Sequence, residues 1–433
     1  MMDEQRKRIY LCLAHMSENG MEQQYIKEAF DTNWVVPLGP NVDAFEKSLE
    51  DFANGLIGNV ENVNKVDIDS HVVCLSAGTA AVHLALIGCG VKAGDEVICQ
   101  SFTFCASANP IKYLGANPVF VDSEHETWNM DPELLDEAIK DRIKKTGRKP
   151  KAIVVVALYG MPYKIDDIMR IADKYDIPII EDAAEGLGSR FNGQVLGTFG
   201  KYGVLSFNGN KMITTSGGGA LICGSEEEKN KVMWYATQAR EAYPYYQHEA
   251  IGYNYRMSNI CAGIGRGQMT VLNEHILHHQ HINALYSEAF KNIEGIEFHM
   301  TPDKRMESNC WLNTIVLSPE LHVKGEESVY QETVKDAVGG AAGVTHGGGS
   351  VHTDLEPNRN VEAMRVGLDA KGIESRPLWK PMHCQPVFKD DIAYVNGVSE
   401  SVFKTGLCLP SGPMVSDDDV KYIVDCIKEL IAD

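Results

Sequence analysis

Apolar residues return at spacings of three and four between residues 41 and 56, where Val42, Phe45, Leu49, Phe52 and Ala53 form one helical stripe. Before it, NGMEQQYIKEAFD at 19–31 opens on turn formers and continues with helix-spaced apolar and charged residues. That predicts an amino-terminal arm or helix ending before the extended Trp34-Val35-Val36-Pro37. From residue 72 the pattern alternates between two periods. VVCLSAG, DEVICQ, PVFVD, KAIVVVALYG and IPIIEDAA read as strands, separated by the helix candidates TAAVHLALIGCG, SFTFCASANPIKYLG, DPELLDEAIKDRIKK and DIMRIADKYD. Stretches such as IVVVA and IPII are apolar throughout, as strands covered by helices on both faces require. An α/β domain with a mostly parallel central sheet is the expectation.

Beyond Lys211 a glycine-rich patch, TTSGGGALICG, has ends that suggest a hairpin, and residues 231–285 are rich in Tyr, Gln, His and Asn with helical spacing in the second half. From about 295 the strand-like EFHM and NTIVLS precede the helix candidates VEAMRVGLDAKG and DDDVKYIVDCIKELI. The simplest division is an arm plus large domain over 1–290 and a smaller carboxyl-terminal α+β domain over 291–433. Within the latter, 318–357 reads as a surface insertion, and its place just before Arg376 to His383 suggests a cap over a binding mouth. His322, His346 and His352 do not match a compact ligand spacing, so no metal is expected.

Composition narrows the function. The 433 residues carry 60 acidic against 40 basic side chains, a formal charge of -20, which argues against a nucleic acid or an anionic membrane as partner. The 11 cysteines lie singly with no CxxC pair, which fits a reducing cytoplasm better than a disulfide framework. A charged amino terminus, MMDEQRKR, and the lack of any run of 18 apolar residues predict a soluble chain without a signal peptide.

Three constellations carry chemistry. Ser76-Ala77-Gly78-Thr79-Ala80 places small residues at a strand-to-helix junction, where free N–H groups can receive an anion; a plain N-cap explains the same residues. Glu181-Asp182-Ala183-Ala184-Glu185 follows the strand IPII, at the strand end where open α/β sheets hold ligands, and Asp182 there could pair with a protonated ring nitrogen. Lys211, amid SFNGN and TTSGGG, could be a Schiff-base amine, although most lysines are simply solvated.

Taken in order, SAGTAAVHLAL, EDAAEGLGS, SFNGNKMITTSGGGAL and GYNYRMSNI resemble the DegT/DnrJ/EryC1/StrS family of pyridoxal-phosphate-dependent sugar aminotransferases. The resemblance runs from about residue 27 to the carboxyl terminus, leaving out roughly 318–357. It implies the aspartate-aminotransferase-like fold, PLP fold type I. By resemblance, Lys211 is the catalytic amine that binds the cofactor and moves the substrate proton, Asp182 pairs with the pyridine nitrogen, and Phe104 stacks on the ring. Gly78, Thr79 and Ser206 hold the phosphate. Glu185 stands where the family commonly has glutamine near the ring hydroxyl, so it needs a proton or a different partner to bond an oxyanion. Asn254 matches a residue that reaches the neighbouring subunit's cofactor, which implies a homodimer with shared active sites.

The strings ATQARE, YQHEAIGYNYRMSNI and GIESRPLWKPMHCQPVF resemble the branch aminating C4 of UDP-2-acetamido-2,6-dideoxy-4-keto-hexoses on the way to bacillosamine-like sugars. In that branch Trp34, Arg256, Arg376, Trp379, Lys380, Met382 and His383 are candidates for the sugar-nucleotide mouth or its support, with L-glutamate as amino donor. Alternatives are another nucleotide-linked keto sugar such as a dTDP sugar, a keto cyclitol, and a non-enzymatic PLP-fold binding or regulatory protein. Relatives that remove a hydroxyl replace the lysine by histidine, whereas Lys211 is present.

Overall fold

The predicted apolar runs pair into one eight-stranded sheet because their side chains alternate between two buried clusters. The computed structural model describes residues 7–55, 68–327 and 357–431. In chain order the sheet uses β1 (His71–Leu75), β2 (Glu96–Gln100), β3 (Asn117–Val121), β4 (Ala152–Val156), β5 (Ile179–Asp182), β8 (Tyr202–Ser206), β9 (Gly219–Cys223) and β14 (Ile392–Tyr394), while β6 (Arg190–Phe191), β7 (Gln194–Val195) and β11 (Met306–Glu307) form a small sheet of their own. The spatial order of the large sheet is β1-β9-β8-β5-β4-β2-β3-β14. Only β9 runs antiparallel to its neighbours. Val72, Cys74, Ile153 and Val155 face one apolar cluster, and Val73, Leu75, Ala152 and Val154 face the other. Helices therefore cover both faces, as the unbroken apolar strands require.

The expected helix at 19–31 is α1 (Met21–Asp31), and the apolar stripe at 41–56 is buried on α2 (Pro40–Ala53). Both pack on the helix Asn259–Met269. There Gly265 and Gly267 permit close approach, since a Cβ at Gly267 would lie 2.6 Å from the Glu22 backbone nitrogen. The glycine-rich patch after Lys211 leads into β9, which forms the antiparallel partner of both β8 and β1.

A second sheet, in the order β10 (Ile296–Phe298), β12 (Asn313–Leu317), β15 (Gly406–Leu409) and β13 (Arg376–Pro377), is antiparallel throughout. Tyr286, Phe290, Ile315, Leu317, Leu407 and Ile423 belong to its separate core, shared with the helices Leu272–Phe290, Arg359–Ala370 and Asp417–Ile431. Two departures from the division at residue 290 stand out. Ile392–Tyr394 crosses back to cover the edge of the large sheet beside β3, and Ile9 at the other end of the chain pairs with Ile373 and joins the smaller core. An uncovered edge strand and an incomplete core are each closed by a segment distant in sequence. Of the segment 318–357, residues 328–356, with His346 and His352, lie outside the described residues; His322 pairs with Glu326 at 3.1 Å. Among the described residues no helix is long and apolar enough to cross a membrane.

Candidate active site

The strand ends and one helix start converge on a cavity of about 310 Å³ lined by Lys211, Asp182, Glu185, Ser206, Gly78 and Thr79 together with three aromatic rings. The helix Gly78–Gly88 begins directly after β1, and its N-cap Ala77 makes no side-chain capping bond. Its first N–H groups are consequently available to an anion, and the helix dipole favours a negative charge there. Three chain segments meet at that point. A Cβ on Gly78 would stand 3.1 Å from the Ser206 Cβ, and one on Gly219 would stand 2.6 Å from the Ala77 carbonyl carbon. Gly78, Thr79 and Ser206, expected from sequence to act together, are thus brought together.

Asp182 ends β5 and is 4% exposed. Its Oδ2 accepts from the Ser107 hydroxyl at 2.6 Å and its Oδ1 from the Ala184 N–H at 3.2 Å. Burial pushes its carboxyl above the ordinary range, while Ser107, the Ala184 N–H and Lys211 oppose the rise. Glu185 accepts from the Tyr159 N–H at 2.7 Å through Oε2, and its Oε1 lies 3.3 Å from the Lys211 Nζ. Burial raises this carboxyl too, opposed first by Lys211. The amine itself sits 3.9 Å from the centre of the Trp311 ring, whose Nε1 donates to the Asn210 carbonyl at 2.7 Å. A cation over an indole face and beside a carboxylate is attracted to both.

Phe104 is 52% exposed and lines the cavity, its ring 5.5 Å from that of Trp379. Of the residues expected at the sugar-nucleotide mouth, Trp379 is the one among this lining. Lys380, in the same segment, accepts from Gln385 Nε2 through its carbonyl at 3.3 Å. His383 sits between the Ser101 hydroxyl at 2.6 Å and Glu400 at 3.3 Å; with Cys384 and Glu400 it brings ligand-type atoms within 4.8 Å of one another, outside the cavity. Arg376 is exposed and paired with Glu374. Trp34 packs over Gly39 and gives its carbonyl to Asn259.

Two residues differ from the sequence expectation in a way burial explains. Met382 is 2% exposed within the apolar cluster that holds Phe120 and Phe388, so its thioether serves the core. Arg256 bonds Glu46 and the Cys74 carbonyl, neutralising a buried carboxylate and leaving no free guanidinium in the cavity of its own chain. Asn254 is exposed, bridged to Thr237, and also outside that cavity. Sequence reasoning placed Asn210 beside Lys211 in SFNGN but did not single out Ser107, Tyr159 or Trp311. Ser107 lies within the quoted SFTFCAS and could have been found there; Trp311 stands alone in NCWLNT, with no local pattern to mark it.

The DegT/DnrJ/EryC1/StrS aminotransferase family model matches residues 16–342 and 348–428, which takes in all but 343–347 of the segment read as an insertion. The chain belongs to this family. It is 41% identical over 428 residues to EpsN of Bacillus subtilis (strain 168), named as a pyridoxal phosphate-dependent aminotransferase, covering 98% of this chain and 96% of that one. It is 32% identical over 427 residues to the GDP-perosamine synthase of Escherichia coli O157:H7, covering 98% and 99%. A crystal structure of a DegT DnrJ EryC1 StrS aminotransferase from Brucella abortus superposes with a TM-score of 0.78 at 26% identity, covering 96% of both chains. The protein is a PLP-dependent aminotransferase of fold type I. The residues present fit the cofactor: an amine, a buried carboxylate, and a bare helix start with a hydroxyl beside it line one cavity.

Proposed function

We propose that the protein moves an amino group from L-glutamate to C4 of a UDP-2-acetamido-2,6-dideoxy-4-keto-hexose, giving the UDP-linked 4-amino-4,6-dideoxy sugar. The single observation that carries the transamination is Lys211, its Nζ 3.3 Å from Glu185 in the cavity that also holds Asp182 and the open start of the helix Gly78–Gly88. Pyridoxal phosphate, when bound, supplies the electron sink for the amino-bearing carbon. The helix start, Thr79 and Ser206 would hold its phosphate, and Asp182 would keep a proton on its ring nitrogen. Lys211 Nζ takes the proton from the α-carbon of glutamate and later returns a proton at C4 of the sugar. Phe104, Trp311 and Trp379 wall the cavity, and Trp379 stands where the sugar would enter.

Asn254 supports the homodimeric reading: it is exposed and lies outside the cavity of its own chain, as a residue serving the neighbouring subunit's phosphate would. The UDP sugar rests on the resemblance of the segments around 236–260 and 372–388. A GDP-linked sugar is the second reading, favoured by the similarity to the perosamine synthase.

The test is the absorbance spectrum of the PLP-loaded protein before and after L-glutamate, then after the keto sugar. Loss of the bound-cofactor band with glutamate and its return with the UDP sugar is the expected result. Return with a GDP sugar, a dTDP sugar or a keto cyclitol instead would replace the acceptor. A folded protein that forms no such band when given PLP would sink the assignment of Lys211.

A further inference from the structure

Tyr159 lies behind the cavity and belongs to none of the motifs by which the site was recognised. It follows β4 in the string ALYG, is 4% exposed, and adopts φ 54°, a left-handed backbone that side chains other than glycine rarely take. Both of its polar ends are used. Its backbone N–H donates to Glu185 Oε2 at 2.7 Å, and its hydroxyl accepts from the backbone N–H of Trp379 at 2.8 Å while also bonding the Cys408 thiol. Its ring stacks on Trp379 with centres 6.0 Å apart and planes 26° from parallel.

The unusual backbone is fixed from the other side as well. The Gly160 carbonyl accepts from the hydroxyls of Ser189 at 2.6 Å and Ser308 at 3.0 Å, and Asn309 Nδ2 donates to the Glu185 carbonyl at 2.8 Å. A residue so held has one position for its N–H and one for its hydroxyl. Glu185 contacts Lys211, and Trp379 forms the cavity wall beside Phe104, so the two ends of this one residue reach the two halves of the site.

We infer that Tyr159 is a positioning residue for the acceptor: its N–H aims Glu185 at Lys211, and its hydroxyl and ring hold Trp379 as the wall against which the incoming keto sugar is placed. This rests on the proposed sugar-nucleotide acceptor and on Trp379 as part of its mouth. The hydroxyl acts on the acceptor half-reaction alone, because the donor half-reaction needs Lys211, Asp182 and the phosphate site, none of which it touches.

Tyr159→Phe removes the hydroxyl and keeps the ring and the N–H. In the PLP-loaded enzyme the glutamate-driven loss of the cofactor band should proceed at the wild-type rate, while the KM for the keto sugar rises about three- to tenfold with kcat held, the range of one lost hydrogen bond. Cys408→Ala, which removes only the other partner of the hydroxyl, should leave that KM unchanged. A second readout needs no sugar. The emission of Trp379, taken as the difference between each protein and its Trp379→Phe counterpart, should be quenched more readily by acrylamide in the Tyr159→Phe background. Equal slowing of both half-reactions, or an unchanged KM, would overturn the inference. So would unchanged quenching, whichever sugar proves to be the substrate. Failure of the UDP sugar with the wild-type enzyme would instead count against the substrate reading alone.

Discussion

Asp182 and Glu185 are two buried carboxyls with different partners, and the difference assigns their work. Asp182 is held by the Ser107 hydroxyl and the Ala184 N–H, so it keeps acceptor capacity directed along the cavity. Asp182→Asn should lower kcat by about 100- to 1,000-fold, the range seen when one preorganised electrostatic partner of a transition state is removed. Single-turnover rates with glutamate would measure it, and a loss under fivefold would mean the carboxylate does not serve the ring nitrogen. Glu185 already sits above its ordinary pKa because it is buried, and Lys211 is the leading group opposing that rise. Were the Lys211 charge lost, the carboxyl would rise further, and a protonated Glu185 could donate to an oxyanion as a glutamine amide would. Activity that depends on that proton falls as pH climbs through the raised pKa. Glu185→Gln should therefore stay active and lack this decline in a kcat–pH profile; an unaltered alkaline limb would exclude the role. These residues were legible in the string EDAAEGLGS. Trp311 and Tyr159 were not, since an isolated indole and a left-handed tyrosine acquire meaning only when distant segments fold against them.

The hairpin suggested by the ends of the glycine-rich patch agrees with the antiparallel pairing of β9 with β8, whereas the second pairing of β9, with β1, was not legible, because that is decided by neighbours and not by the strand's own pattern. Its first residue sets the width of the anion site. A side chain at Gly219 would press on the backbone of Ala77 and Gly78, which cannot move without shifting the helix start. Gly219→Ala should cost about 1–3 kcal/mol of stability and weaken PLP binding, the usual penalty for overpacking. A thermal melt and a PLP titration check it, and an unchanged affinity would place the phosphate elsewhere. One residue before Asp182, Glu181 points to the opposite face of β5, where the Phe199 N–H donates to its Oε2 at 3.1 Å and the N–H groups of Gly197 and Gly200 also favour its charged form. Burial outweighs them and lifts its pKa from 4.5 to about 7. The folded state thus holds this proton more tightly than the unfolded one, and stability is lost as pH rises from 4.5 to about 7, by up to about 3 kcal/mol from this group. Urea unfolding at pH 5 and pH 8 should show that component in the wild type and not in Glu181→Gln. Identical pH dependence in the two proteins would show that the carboxyl titrates normally.

The two-part architecture could be read from the change of period near residue 290, but its interleaving could not. Ile9 in the smaller core and Ile392–Tyr394 on the large sheet are short apolar stretches whose placement depends on which edge or cleft is left open once everything else has formed. The same limit holds for side chains that the single chain leaves exposed. Asn254 and the aromatic side chains Tyr243, Tyr245 and Tyr246 nearby are exposed in the single chain; the resemblance of GYNYRMSNI points Asn254 toward a neighbouring subunit, and nothing in the local sequence says what the three tyrosines face. If two subunits share their sites, each site takes Lys211 from one chain and Asn254 from the other, and the two can be separated genetically. Lys211→Ala and Asn254→Ala homodimers would both be impaired, the first wholly and the second through cofactor retention. Mixed with random exchange, half of the dimers would be hybrid, and each hybrid would hold one site with both defects and one with neither. About a quarter of all sites would then be intact, so activity near a quarter of wild type is expected at limiting PLP, a consequence of two-fold symmetry alone. Activity no greater than the mean of the two parents, with exchange verified by differently tagged chains, would show that Asn254 serves its own subunit.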